Sequence, residues 1–156
     1  MDDYELYAEQ IIVHKIRSAW FEMSRMFNQV ANAYNITLSV GLTLIAIYEV
    51  EGTPVTKIAP RMGMEPNSLS RILKSIEKEG LIKRVPDSND KRKVLVKLTK
   101  KGHNMRKVSI KSVLRLNNAI LENLDPIKLK HFNEIINSVP KSSSKTLDKM
   151  LKEINL

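Results

Sequence analysis

A chain of 156 residues with 26 Lys and Arg against 17 Asp and Glu carries a formal charge of +9 and contains no cysteine. The length suits one folding unit. The missing thiols exclude disulfides, thiolate metal sites and cysteine-based redox sensing, and the charge favours polyanionic partners, nucleic acid first.

From Ile12 the apolar residues Ile16, Ala19, Met23, Met26, Phe27, Val30 and Tyr34 recur at steps of three and four, which predicts one long amphipathic helix. Residues 35–37 break the period, and Thr37 is placed to cap a second helix through Leu38, Leu42, Ile45 and Ile47 to about Val50. Glu51-Gly52-Thr53-Pro54 reads as a stop followed by a start: glycine ends one helix, Thr53 caps the next, and Pro54 takes a first-turn position where a missing N–H costs nothing. The short helix that follows carries Val55, Ile58, Ala59 and Met62, with Pro60 inside it and expected to distort or shorten it. Gly63 permits a sharp turn. Pro66 then opens another helix whose Leu69, Ile72, Leu73 and Ile76 share a face, and the succession of short helix, glycine turn and second helix is the helix-turn-helix plan.

Gly80 closes that helix and Leu81–Val85 reads as a strand. A polar loop, Pro86–Arg92, leads to Val94, Val96 and Leu98, which alternate with Lys93, Leu95 and Lys97 as a half-buried strand does, so the hairpin forms a wing. Thr99 is placed to cap a helix through Met105, Val108, Leu114 and Ile120 to about Leu124, and Asp125-Pro126 opens another through Leu129, Phe132, Ile135 and Ile136. Pro140 is expected to stop that helix and Lys141-Ser142-Ser143-Ser144-Lys145 to be a flexible linker. Leu147, Met150, Leu151 and Ile154 then mark a separate terminal helix. The predicted class is mainly α with a small β-hairpin wing. No run approaches the roughly 18 apolar residues of a membrane span, and the start Met1-Asp2-Asp3-Tyr4-Glu5 is acidic where a leader peptide is basic, so a cytoplasmic protein with no membrane partner is expected.

Three linked stretches sharpen this reading: Ser68-Leu69-Ser70-Arg71-Ile72-Leu73, then Glu77-Lys78-Glu79-Gly80-Leu81-Ile82-Lys83-Arg84, then Asp87-Ser88-Asn89-Asp90-Lys91-Arg92 followed by Leu98-Thr99-Lys100-Lys101-Gly102. In this order and spacing the chain resembles the multiple antibiotic resistance regulator (MarR) family of bacterial winged helix-turn-helix transcriptional regulators, over about residues 8 to 139. The resemblance implies a single MarR-like domain over 1–156. Dimerisation helices are expected in 1–36 and 103–156, around a winged helix-turn-helix DNA-binding module in 37–102. It further implies a triangular homodimer whose first and last helices pair between subunits. Such a dimer binds a palindromic double-stranded DNA operator with half-sites centred about one helical turn, ~10 bp, apart. The role it implies is that of a repressor modulated by a small aromatic or phenolic effector near the junction of helical bundle and winged module. Pro60, Pro140 and the serine run depart from the family pattern.

Opposite its apolar face, the second helix of the helix-turn-helix exposes Asn67, Ser68, Ser70, Arg71 and Lys74, side chains suited to base edges and phosphates. Arg71 has the fork geometry for guanine or phosphate. At the wing the resemblance implies that Arg92 enters the minor groove while Asp90 orients it, with Lys91 alongside; a narrow A·T-rich groove attracts such an arginine by its potential. Asn89 stands where many relatives carry arginine. Lys83, Arg84, Lys97, Lys100 and Lys101 are further candidates for phosphate contacts. The blander readings are a solvated helix face and a cationic loop closed by a local Asp90–Arg92 salt bridge. The alternative function is a winged-helix protein-interaction module without DNA binding, against which Asn67, Ser70 and Arg71 count; a membrane- or RNA-associated protein drawn by charge alone is the other rival.

The histidines His14, His103 and His131 are scattered, without acids at metal-ligand spacing, so no metal or cofactor is expected. No nucleophile–base arrangement or phosphate-cradling glycine loop appears, and Gly63, Gly80 and Gly102 read as helix ends and turns; no enzyme is expected. Met23, Met26, Met62, Met64 and Met105, with Trp20, Phe27 and Tyr34, read as core near the junction in preference to a promiscuous pocket.

Overall fold

The three-and-four spacing at the N-terminal side forms helix α1, Ile12–Asn32, in a computed structural model that describes residue 7, residues 10–47 and residues 51–154. The Thr37 hydroxyl accepts the amide of Val40, capping α2, Leu38–Ala46. A second cap comes from α1, where the Asn28 Oδ1 accepts the amide of Leu38 at 3.0 Å. α2 stops at Ala46, short of the expected Val50, because Ile47 turns extended and buries its side chain in the core. Residues 48–50 of that expectation lie outside the described residues.

Thr53 and Pro54 depart from the sequence reading. They form a two-residue strand, β1 (Thr53–Pro54), and α3 (Val55–Met62) begins after Pro54 without a side-chain cap. Thr53 lies fully buried opposite Val96, and its hydroxyl has no partner among the described residues; pairing with the sheet has replaced capping. Pro60 sits inside α3, which still runs to Met62 before Gly63, at φ 58°, ends it in the left-handed region. In an eight-residue helix the proline removes one backbone bond, which limits its cost. α4 (Pro66–Lys78) starts on a proline, and its C-terminus closes through the amide of Leu81 to the carbonyl of Ile76 at 2.9 Å.

The wing strands are β2 (Ile82–Pro86) and β3 (Val94–Leu98), antiparallel from Ile82 opposite Leu98 to Pro86 opposite Val94, in a sheet of order β1-β3-β2. The simple in–out alternation predicted for β3 does not hold. Leu95 and Val96 are both buried, while Val94 is exposed. Because β3 is the central strand, the backbone at Gly52 lies against it: a Cβ built there would come 3.0 Å from the Leu95 Cβ.

Thr99 accepts the amide of Gly102 and caps α5 (Lys100–Leu121), as its sequence suggests. Asp125 Oδ1 accepts the amides of Ile127 and Lys128 at the start of α6 (Pro126–Ile154). Here the structure corrects the sequence reading. Pro140 neither ends the helix nor opens a linker, and α6 continues through the serine run. Flanking the proline, the Ser138 and Ser143 hydroxyls donate to the carbonyls of Ile135 and Val139, satisfying backbone acceptors in the turn that precedes it. Pro140 is also exposed, where water can satisfy the carbonyl it leaves.

The chain divides into two compact units, Met1–Leu114 and Arg115–Leu156. In the first, Leu44, Ile47, Ile58, Leu69, Leu73, Ile76, Leu81 and Val96 are all under 2% exposed and form the core, with Met62, Met64 and Met105 packed against it. Each such aliphatic side chain contributes about 1.5–3 kcal/mol by leaving water. That core fixes the backs of α4 and the sheet, leaving their outer surfaces to present polar groups. Gly102 serves a close approach rather than a turn: a Cβ there would fall inside contact distance of the Leu81 carbonyl oxygen and 2.9 Å from its carbon.

Candidate nucleic-acid interface

Leu69, Leu73 and Ile76 bury one side of α4, and at 3.6 residues per turn this turns Asn67, Ser70, Arg71 and Lys74 together onto the opposite side. All four are exposed, as is Ser68 at the flank. Arg71 and Lys74 have no ion pair or hydrogen bond with any described residue, so both cations face solvent undiverted. Ser70 differs: its hydroxyl donates to the Pro66 carbonyl at 2.9 Å, leaving its lone pairs as acceptors for an incoming donor. The N-terminus of α4 carries no side-chain cap, so its first amides are open to an anion.

The wing tip is built by two aspartates. Asp87 Oδ1 accepts the amides of Asn89 and Asp90 at 2.7 and 3.1 Å, folding the loop, and the Asp87 amide closes it on the Lys93 carbonyl. Asp90 Oδ1 in turn accepts from the Arg92 amide at 3.1 Å and from its Nε at 3.3 Å, and Lys93 Nζ stands 3.5 Å from the other carboxylate oxygen. The backbone hydrogen bond from Arg92 and then that from its guanidinium, with a lesser contribution from the Lys93 charge, hold the Asp90 carboxyl below the usual carboxylate range against the opposing effect of desolvation. The arginine side chain is 93% exposed, so Asp90 aims it without covering it.

Residues 36–94, from the start of α2 to the return strand of the wing, match the family model described as MarR family. Over that stretch the chain is similar to the MarR family. It is 22% identical over 125 residues, 80% of this chain and 81% of the relative, to the uncharacterized HTH-type transcriptional regulator YhbI of Bacillus subtilis. The organic hydroperoxide resistance transcriptional regulator of the same organism is 32% identical over 81 residues, and there the chain spans about half of the relative (55%). Among solved structures, the S. aureus MepR–DNA complex superposes with a TM-score of 0.77 at 19% identity, over 85% of this chain and 98% of that one, a likeness of fold.

Within this matched stretch the residues singled out from sequence fall into two groups. Asn67, Ser68, Ser70, Arg71 and Lys74 come together on α4, and Asp90, Lys91 and Arg92 at the wing tip. Two other cations are engaged by groups of the chain itself, at the surface. Lys101 donates its Nζ to the Glu79 carbonyl at 2.9 Å and so helps close the C-terminus of α4, while Arg84 pairs with Glu77 at 3.2 Å. The carboxylate of Glu77 escaped sequence reasoning; the signal available was an acid seven residues before an arginine, across a helix–strand turn, which by itself has many meanings.

Proposed function

We propose that the chain is a DNA-binding transcriptional regulator, a repressor that grips a palindromic operator as a homodimer. In this reading Asn67, Ser68, Ser70, Arg71 and Lys74 enter the major groove. Lys91 and Arg92, oriented by Asp90, reach the flanking minor groove. The observation that carries it is the pairing of an undiverted polar face on α4 with an almost fully exposed arginine on a folded wing tip. A protein-interaction module would have no use for that combination. The solved complex of a structural neighbour with DNA supports the same reading.

Support for a homodimer comes from apolar side chains that a lone protomer leaves in water. On α1, Ile12, Val13, Trp20 and Phe21 are exposed; on α6, Ile127, Phe132, Ile135 and Ile154 are. Patches of this kind mark association surfaces. Support for an effector comes from a cavity of about 30 Å³ in the first unit, lined among others by Phe27, Val30, Tyr34, Leu42, Val108 and Ser112. An aromatic ring is larger than this space, so a ligand must part α1 from α2 and α5 to enter, and it acts only by binding the parted form better.

The test is selection of bound sequences from random duplex DNA by the full chain, followed by titrations at several salt concentrations. The reading expects an enriched palindrome and an affinity that falls steeply with salt. A pool that stays random at every salt concentration rules the regulator out.

A further inference from the structure

Glu77 lies in the last turn of α4, on the side that Ser70 and Lys74 follow at spacings of four and three. Its two carboxylate oxygens hold one residue of the wing in two ways. Oε1 accepts the backbone amide of Arg84 at 3.3 Å, and Oε2 stands 3.2 Å from the Arg84 Nε. The sheet explains why that amide is free to be taken. The Thr99 amide bonds the Leu81 carbonyl and the Asp87 amide bonds the Lys93 carbonyl, so the odd residues of β2 face their partners on β3 and the amide of Arg84 points to the outer side. With the order β1-β3-β2, that outer side is the open edge of the sheet. Glu77 therefore fills an edge position with a side chain from the neighbouring helix.

We propose that Glu77 is a positioning residue that sets the direction of the wing relative to α4. Through Arg84 it determines whether the α4 face and Arg92 meet their grooves at the same time. Resting on the reading above, this assigns a role in DNA binding to an acidic side chain that touches no DNA. It also withdraws Arg84 from the phosphate contacts. On the far side of the same junction Thr99 donates to the Gly80 carbonyl at 2.7 Å and Lys101 to that of Glu79, so the helix end is held from two directions and Glu77 supplies the hold on the wing.

Two measurements on the full chain test this. The first needs no DNA: amide exchange at Arg84, followed by NMR, accelerates in Glu77→Ala by about tenfold or more as the local bond is lost, and an unchanged rate overturns the proposal. The second compares titrations on the selected operator. Glu77→Ala and Arg84→Ala each weaken specific binding by about tenfold, the double variant loses no more than the worse single one, and the salt slope stays that of wild type. Glu77→Gln, which keeps an acceptor for the Arg84 amide but drops the charge, falls between wild type and Glu77→Ala. The opposite pattern overturns it: tighter binding in Glu77→Ala, with a slope about 0.9 shallower in Arg84→Ala, identifies Arg84 as a phosphate contact that Glu77 restrains. If the wild type binds no duplex, the regulator reading falls, and the exchange rate alone still decides whether Glu77 holds the wing.

Discussion

Replacing Gly102 by alanine sets two effects of opposite sign against each other. Gly102 stands inside α5, where alanine is the better helix former by about 1 kcal/mol. Against this, the added methyl would overlap the Leu81 carbonyl oxygen and come 3.3 Å from the Leu98 Cδ2. That oxygen already accepts the Thr99 amide at 3.0 Å and the Thr99 hydroxyl at 3.2 Å, so it cannot retreat without loosening both bonds. Overpacking costs about 1–3 kcal/mol and the two hydrogen bonds about 1 kcal/mol each. With the helix gain deducted, the net loss is about 3 kcal/mol. For a chain of this size the melting temperature should fall by about 6–12 °C, read by thermal unfolding at fixed protein concentration so that association does not contribute. A Gly102→Ala protein as stable as wild type, or more so, would show that Leu81 does not pack against the start of α5.

Arg92→Ala should weaken operator binding by about 1–3 kcal/mol while unfolding stays within about 0.5 kcal/mol of wild type; unaltered affinity for A·T-flanked sites would end the minor-groove assignment. Leu73→Glu places a charge among fully buried side chains and should cost at least 3 kcal/mol, so a well-folded variant in circular dichroism would mean that the face of α4 is wrongly assigned. Thr53→Val removes a buried hydroxyl that has no partner among the described residues and should stabilise the protein by about 1 kcal/mol, an increase that denaturant unfolding resolves; destabilisation would indicate that the hydroxyl is bonded after all.

The elements that could be read from sequence are those written in local signals. Thr37, Thr99 and Asp125 cap the helices they precede, and Pro66 and Gly63 bracket the turn into α4. The exposed face of α4 followed from helical periodicity alone, whereas the Asp90–Arg92 pair came from the family resemblance of the wing. What escaped was set by partners distant in the chain. β1 is two residues long, too short for any period, and exists because Val96 and Leu95 lie beside it. The alternation in β3 failed for the same reason, since a central strand buries side chains on both faces. Pro140 misled because a proline is a strong local signal against a helix, whereas hydroxyls one turn away and an apolar stripe on both sides favour continuing it. Gly102 looked like a turn glycine until the Leu81 carbonyl appeared against it.

The central place of β3 bears on how such a protein changes its target. Hydrogen-bonded to β2 on one edge and to β1 on the other, β3 anchors the wing to the entrance of α3, so both ends of the loop 87–93 emerge from a fixed base. The loop folds on its own aspartates and needs nothing from the core. It is thus an exchangeable cassette: its length and charge can drift over generations while the buried framework stays under separate selection. Preference for the flanks of a binding site can then evolve independently of the bases read by α4.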